Sequence, residues 1–292
     1  MTTDRGRIAG FDKRLTPARP DLAAAHLRGK IEAPRYVDGE PMRVMAETTP
    51  VRGEPNPENG YDTQALHGEI LTVYEFDDEG WAFVQLARDG YVGYVSANAL
   101  APIRSAATHR VRTPRTLVYP GRSIKTPPLA ALPMLAQVRV IAVDGAFARL
   151  DDGGFVWSEH LAPLEFAETD FVAVAERFEN APYLWGGKTW DGVDCSGLVQ
   201  IALQAAGVDA PRDTDMQFAG VGAAIDPGAD YQNLRRGDLV FWKGHVGVMC
   251  DAETLLHANG HHMQVAREPF SVARARIASN SFGEVTGVRR LG

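Results

Sequence analysis

Tyr183-Leu184-Trp185-Gly186-Gly187-Lys188 leads into Asp194-Cys195-Ser196-Gly197-Leu198-Val199, and an alanine-rich apolar segment follows as far as Gly207. Behind the cysteine, Leu198, Val199, Ala202, Leu203 and Ala206 recur at helical spacing, and Gly207 supplies a C-terminal stop. The spacing predicts a helix that begins at Cys195. Unpaired N–H groups and the positive end of the helix dipole would then face the sulfur, which is expected to favour thiolate over thiol. A nucleophile of this kind needs an imidazole within reach and a third group to orient that imidazole.

Downstream of the cysteine segment, residues 209–237 are rich in Gly, Pro and Asp and read as a loop. Strands follow: Asp238-Leu239-Val240-Phe241-Trp242, a Lys243-Gly244 turn, His245-Val246-Gly247-Val248-Met249-Cys250, and Thr254-Leu255-Leu256-His257-Ala258. The first two form a hairpin with a two-residue turn. Strand alternation puts 245, 247 and 249 on one face and 246, 248 and 250 on the other. If His245 faces the site, Cys250 points away and serves as a small buried apolar residue. Upstream, Thr169 is placed as the cap of a helix carrying Phe171, Val172, Val174, Ala175 and Phe178, ending before Pro182.

Before residue 165 the period changes to short alternating runs. Ile70-Leu71-Thr72-Val73-Tyr74, Trp81-Ala82-Phe83-Val84-Gln85-Leu86 and Tyr91-Val92-Gly93-Tyr94-Val95 are separated by acidic and glycine turns. The same order returns in Val138 to Val143, Phe147 to Leu150 and Phe155 to Trp157. Each copy closes alike, in Asn98-Ala99-Leu100-Ala101-Pro102 and Glu159-His160-Leu161-Ala162-Pro163. An internal repeat of about 60 residues built from short strands means small barrels or sandwiches. The lead before it contains Thr16-Pro17-Ala18-Arg19-Pro20 and one short helical candidate from Asp21 to Arg28. It reads as an arm packed across the later domains.

Composition narrows the function classes. The chain has 292 residues, 45% of them hydrophobic, which suits two or three soluble domains. Thirty basic residues against 37 acidic ones leave a net charge of −7, which argues against a nucleic-acid footprint. Cys195 and Cys250 are the only cysteines, so no disulfide framework is expected. No run approaches the roughly 20 apolar residues of a membrane span. The apolar cluster from Leu22 to Leu27 is short and holds His26, unlike a signal-peptide core, so the cytoplasm is the expected location.

The blocks Tyr183–Gly187, Asp194–Val199, Arg236-Gly237-Asp238-Leu239-Val240-Phe241, Gly244-His245-Val246-Gly247 and Leu256-His257-Ala258 together resemble the NlpC-type, papain-like cysteine peptidases that cleave bacterial cell-wall peptides. The upstream copies resemble bacterial SH3-like barrels, with Gly90-Tyr91-Val92-Gly93-Tyr94-Val95 as a last-strand pattern. The resemblance extends to members with paired barrels, the gamma-D-glutamyl-L-diamino-acid endopeptidases of peptide recycling. It implies an α+β chain: an arm over 1–37, SH3-like domains over 38–103 and 104–164, and a catalytic domain over 165–292. It also implies Cys195 as nucleophile, His245 as general base and acid, and His257 as the group orienting His245. Tyr91, Trp185, Asp194, Ser196, Asp213 and Thr214 are implied around the substrate's N-terminal dipeptide, with Glu54 a weaker candidate. Asp194 and Asp213 are expected to pair with its ammonium group. The implied partner is a murein peptide with a free N-terminal L-alanine, cut at the gamma-D-glutamyl bond. No cofactor, metal, nucleic acid or membrane is called for.

Other readings compete. Asp194 also suits a helix cap, Asp213 a loop stabiliser and Trp185 a packing residue. His257, His261 and His262 have a spacing open to metal binding, although the turn at Asn259-Gly260 separates their directions. A binding scaffold, a hydrolase cutting intact wall, and an amidase or acyltransferase on the same fold are the remaining alternatives.

Overall fold

The computed structural model describes residues 10–292 and, as backbone, Arg7 and Ile8. The chain divides into two compact units at Leu164/Glu165.

In the N-terminal unit, strands between residues 40 and 102 pair with one another. Antiparallel neighbours run in the order Val92–Ser96, Trp81–Leu86, Ile70–Phe76, Glu40–Val44 and Leu100–Pro102, with Thr48–Val51 paired to Thr63–Leu66. Alternation sends Leu71 and Val73 inward with Val44, Val84 and Val95. Arg52 and Tyr94 exchange backbone hydrogen bonds of 3.0 and 2.7 Å, which ties the last long strand to the Thr48–Val51 pair. Gly93 permits that approach, because a Cβ there would lie 2.6 Å from the Arg52 carbonyl oxygen. Strands between residues 109 and 163 form a second set around Val111, Val118, Leu132, Leu150 and Val156. The repeat is visible at its ends: 3-10 turns at Ala97–Ala99 and Ser158–His160 each precede a Leu-Ala-Pro strand.

The N-terminal segment differs from its expected helix. Leu22–Ala24 is a strand between Ala18–Arg19 and Tyr36–Val37, and only Ala25–Leu27 makes a 3-10 turn. Leu22 is buried against Phe83 and Val92, so tertiary packing overrides the local preference. Arg19 pairs with Glu75 and Asp21, and the Arg14 carbonyl accepts from the Val92 N–H.

The C-terminal unit is a six-stranded antiparallel sheet flanked by helices. Its helices and the strands of that sheet are α1 (Phe171–Glu176), α2 (Cys195–Ala205), α3 (Thr214–Gly220), β1 (Ala223–Ile225), β2 (Leu239–Trp242), β3 (His245–Met249), β4 (Thr254–Asn259), β5 (Gln264–Pro269), α4 (Phe270–Asn280) and β6 (Gly287–Arg290), and a short pair, Lys188–Thr189 with Gly192–Val193, precedes α2. The strand order is β1-β6-β2-β3-β4-β5. Val240, Trp242, Met249 and Leu255 pack on Phe270, Ala273 and Ile277 of α4, while α2 packs against β3 and β4 and is buried along its whole length. Three local readings are corrected. Asp170, not Thr169, caps α1 by accepting from the Val172 and Ala173 N–H groups. The expected loop over 209–237 contains α3 and β1. The eleven-residue α4 lies where no helix was read.

Candidate active site

The start of α2 is held by its own flanking residues. Asp194 is the N-cap: its Oδ1 accepts from Gly197 N–H at 2.7 Å and its Oδ2 from Gly186 N–H at 2.8 Å. Gly197 has no room for a side chain, since a Cβ would lie 2.2 Å from the Gly187 carbonyl oxygen. Beneath this turn Arg212 is almost wholly buried. It reaches Asp194 Oδ2 at 2.7 Å and Ser196 Oγ at 2.8 Å. Asp194 and Ser196 therefore take a structural part in presenting the cysteine. Asp194 is thus already paired with a buried guanidinium before any substrate binds. Arg236-Gly237-Asp238 proves structural as well: Asp238 is fully buried and takes Arg290 in a two-pronged ion pair of 2.6 and 2.7 Å.

Cys195 opens onto a cleft of about 330 Å³ that also receives Tyr183, Trp185, His245, His257, His261, Arg276 and Phe282. The Val246 backbone and the Thr214 side chain favour the charged form of its sulfur. The thiol is nevertheless pushed up to about 11, first by burial and then by the Asp194 carboxylate. The expected thiolate is thus not the resting form, because desolvation outweighs the helix end. Cys250, the other free cysteine, is likewise pushed up to about 11 by burial and is absent from the cleft lining.

The Lys243-Gly244 turn is a two-residue hairpin connection in which Gly244 takes φ of +85° and Trp242 pairs with His245. His245 sits between Trp242 and Phe282, the latter stacked at 5.2 Å with an 8° interplanar angle. His245 Nε2 lies 2.8 Å from His257 Nδ1, so the structure brings the two sequence-predicted histidines together. Gly247 allows this: a Cβ there would lie 3.2 Å from His257 Cβ and 2.8 Å from a Leu255 methyl. Burial and the neighbouring His257 hold His245 well below the ordinary imidazole value, and burial lowers His257 too.

The sequence reading missed the next link. His257 Nε2 lies 2.7 Å from Glu268 Oε1, and Glu268 is paired in turn with Arg276 of α4. β4 and β5 are in register His257↔Ala266 and Leu255↔Glu268, which sets Glu268 diagonal to His257 on one face. His262 is directed to Asn259, and among the described residues no group of His, Cys, Asp or Glu is arranged to hold a metal ion.

Trp185 is half exposed on the cleft wall. Asp213 stands at the N-terminus of α3 without a side-chain cap bond, one residue before Thr214. Tyr91 belongs to the N-terminal unit and is buried with the core of its first strand set. Glu54 accepts a 3.1 Å hydrogen bond from Asn59 of its own loop.

A thiol at a helix start beside a histidine pair defines a centre for thiol-dependent hydrolysis. Comparison with known proteins agrees. Residues 180–278 match the NlpC/P60 family, and residues 51–100 match the bacterial dipeptidyl-peptidase SH3 domain. A gamma-D-glutamyl-L-lysine dipeptidyl-peptidase of Bacillus subtilis is 30% identical over 228 residues, spanning 69% of this chain and 73% of that protein. A Bacillus cereus protein of the same name is 28% identical over 208 residues, 63% of this chain and 60% of that one. The crystal structure of an NlpC/P60 family protein from Bacillus cereus superposes with a TM-score of 0.70 at 18% identity, covering 86% of this chain and 99% of the other, a likeness of fold. The chain belongs to the NlpC/P60 family, and an SH3 domain of the bacterial dipeptidyl-peptidase type precedes its catalytic unit.

Proposed function

We propose that this chain is a cysteine peptidase that hydrolyses the gamma-D-glutamyl–diamino acid bond of murein peptides carrying a free N-terminal L-alanine. The observation that carries this reading is the shared cleft of Cys195, His245 and His257 in a chain whose relatives are named gamma-D-glutamyl-L-lysine dipeptidyl-peptidases. Thiol and imidazole both rest neutral, so His245 takes the thiol proton as the sulfur attacks the gamma-carbonyl carbon. The resulting imidazolium protonates the departing amine. Water, deprotonated by His245, then cleaves the thioester and frees the gamma-carboxylate.

The Cys195 N–H at the start of α2 is one donor for the oxyanion. Tyr183 lines the same cleft, and burial raises its hydroxyl above the usual phenol value, which keeps it a donor. In this reading Trp185 and Asp213 contact the substrate's N-terminal dipeptide, with Asp213 the partner of its ammonium group. Thr214 favours the charged sulfur, while Asp194 and Ser196 hold the loop that presents it. The relatives' description as dipeptidyl-peptidases supports action from a free N-terminus and a role in consuming released peptides.

Mass spectrometry of products from L-Ala-gamma-D-Glu-L-Lys, its diaminopimelate counterpart and their N-acetylated forms tests the reading. The free peptides are expected to release L-Ala-gamma-D-Glu far faster than the acetylated ones. Equal rates on both would replace this assignment with a hydrolase that cuts peptides still attached to the wall.

A further inference from the structure

We propose that Glu268, on β5, is the positioning residue that fixes the proton arrangement of the catalytic histidines, and that the neighbouring Arg276 opposes the imidazolium that Glu268 favours. The inference deepens the peptidase reading above and rests on it.

The argument begins with what a carboxylate does. Glu268 sits against Arg276 and His257, and these neighbours hold its acid far down, at about 2, against the opposing effect of burial. It is therefore ionised at every working pH and accepts hydrogen bonds without donating any. The 2.7 Å contact with His257 then requires the His257 proton to sit on Nε2. Neutral His257 has only one ring proton, so its Nδ1 carries a lone pair. That lone pair lies 2.8 Å from His245 Nε2, which must supply the proton of this second bond. Neutral His245 is left with a bare Nδ1, the nitrogen that remains to receive the thiol proton. One carboxylate, two residues removed from the sulfur, thus selects the single tautomer in which His245 is a base on the nucleophile's side.

The same carboxylate acts when charge appears. Proton transfer from Cys195 makes His245 cationic inside a buried pocket, and Glu268 favours that cation while Arg276 opposes it. His262 also faces this assembly, its Nδ1 3.9 Å from Glu268 Oε1, and Tyr183 and His261 line the same cleft. His257 is completely buried, so no solvent competes for its Nε2. An amide at position 268 would either donate or accept, and the selection would be lost.

The test follows the pH profile of Cys195 alkylation by iodoacetamide, read by peptide mapping on the full chain, and needs no peptide substrate. Between the histidine and cysteine transitions the rate reports the fraction of thiolate–imidazolium pair. Glu268→Gln is expected to lower that plateau about tenfold, the effect of roughly one unit on the imidazolium. Arg276→Gln removes the opposing charge and is expected to leave the plateau at or above the wild-type value. A merely structural cluster would slow both variants alike. The inference is overturned if Glu268→Gln alkylates within twofold of wild type, or if both variants slow equally. If Glu268→Gln does not fold, Arg276→Gln decides alone: a plateau at or above wild type supports the inference and a lower one overturns it. Failure of wild-type Cys195 to alkylate at neutral pH would instead remove the peptidase reading beneath it.

Discussion

Two ionic groups flank the nucleophile, one buried and one partly buried, and each pairs a carboxylate with a guanidinium. On one side Asp194 meets Arg212, with Ser196 between them. On the other, Glu268 meets Arg276, with His257 and His245 leading toward the sulfur. The first group spends its hydrogen bonds on backbone: Gly186 N–H, Gly197 N–H and the Gly187 carbonyl. The second spends them on ring nitrogens whose protons move. A carboxylate–guanidinium pair can thus serve geometry or proton placement, depending on what else the carboxylate touches. Asp194 fixes where the sulfur is; Glu268 fixes which imidazole nitrogen is left without a proton.

Substitutions can break this contrast. The largest effect belongs to His245, which touches the reacting atoms. His245→Ala is expected to lower kcat/KM by about 10²–10⁴-fold, with His257→Ala costing less because water can occupy part of its place. A His257→Ala rate as low as that of His245→Ala would mean that orientation and proton transfer are one inseparable function.

The next effect is on stability. Arg212→Met leaves the Asp194 carboxylate buried without its cation and is expected to cost roughly 3–5 kcal/mol, read by urea unfolding. Glu268→Gln keeps its shape and removes only a charge, so its loss of stability should be smaller than its loss of thiol reactivity. A small cost for Arg212→Met would show that the Asp194 group is dispensable to the fold, and the contrast would then need redrawing.

Legibility in the sequence followed how local each feature is. The α2 start at Cys195 and the Lys243-Gly244 hairpin rest on spacing and alternation within a few residues, the pairing of His245 with His257 on the family resemblance, and all are present in the structure. Arg212 sits in Pro211-Arg212-Asp213, which reads as exposed loop. Its burial depends on α2 and the Gly186–Gly187 turn closing over it. Glu268 lies in Arg267-Glu268-Pro269, the pattern of a solvated strand end. Parity with His257 would have placed it on the active face, but only with the length of the turn between β4 and β5 in hand. That turn uses Met263 at φ of +54°, a conformation no residue type there announces. The state of the thiol was misread for a different reason. Helix position is visible in sequence, whereas the extent of desolvation is a property of the packed molecule.

The central claim is that Cys195 is the nucleophile, activated across the cleft by a neutral imidazole. Stoichiometric labelling with iodoacetamide at neutral pH, followed by peptide mapping and assay of residual hydrolysis, tests it most directly. Cys195 lines the cleft and Cys250 does not, so the label is expected on Cys195, with activity lost in proportion to its incorporation. Labelling of Cys250 first, or hydrolysis that survives complete modification of Cys195, would contradict it.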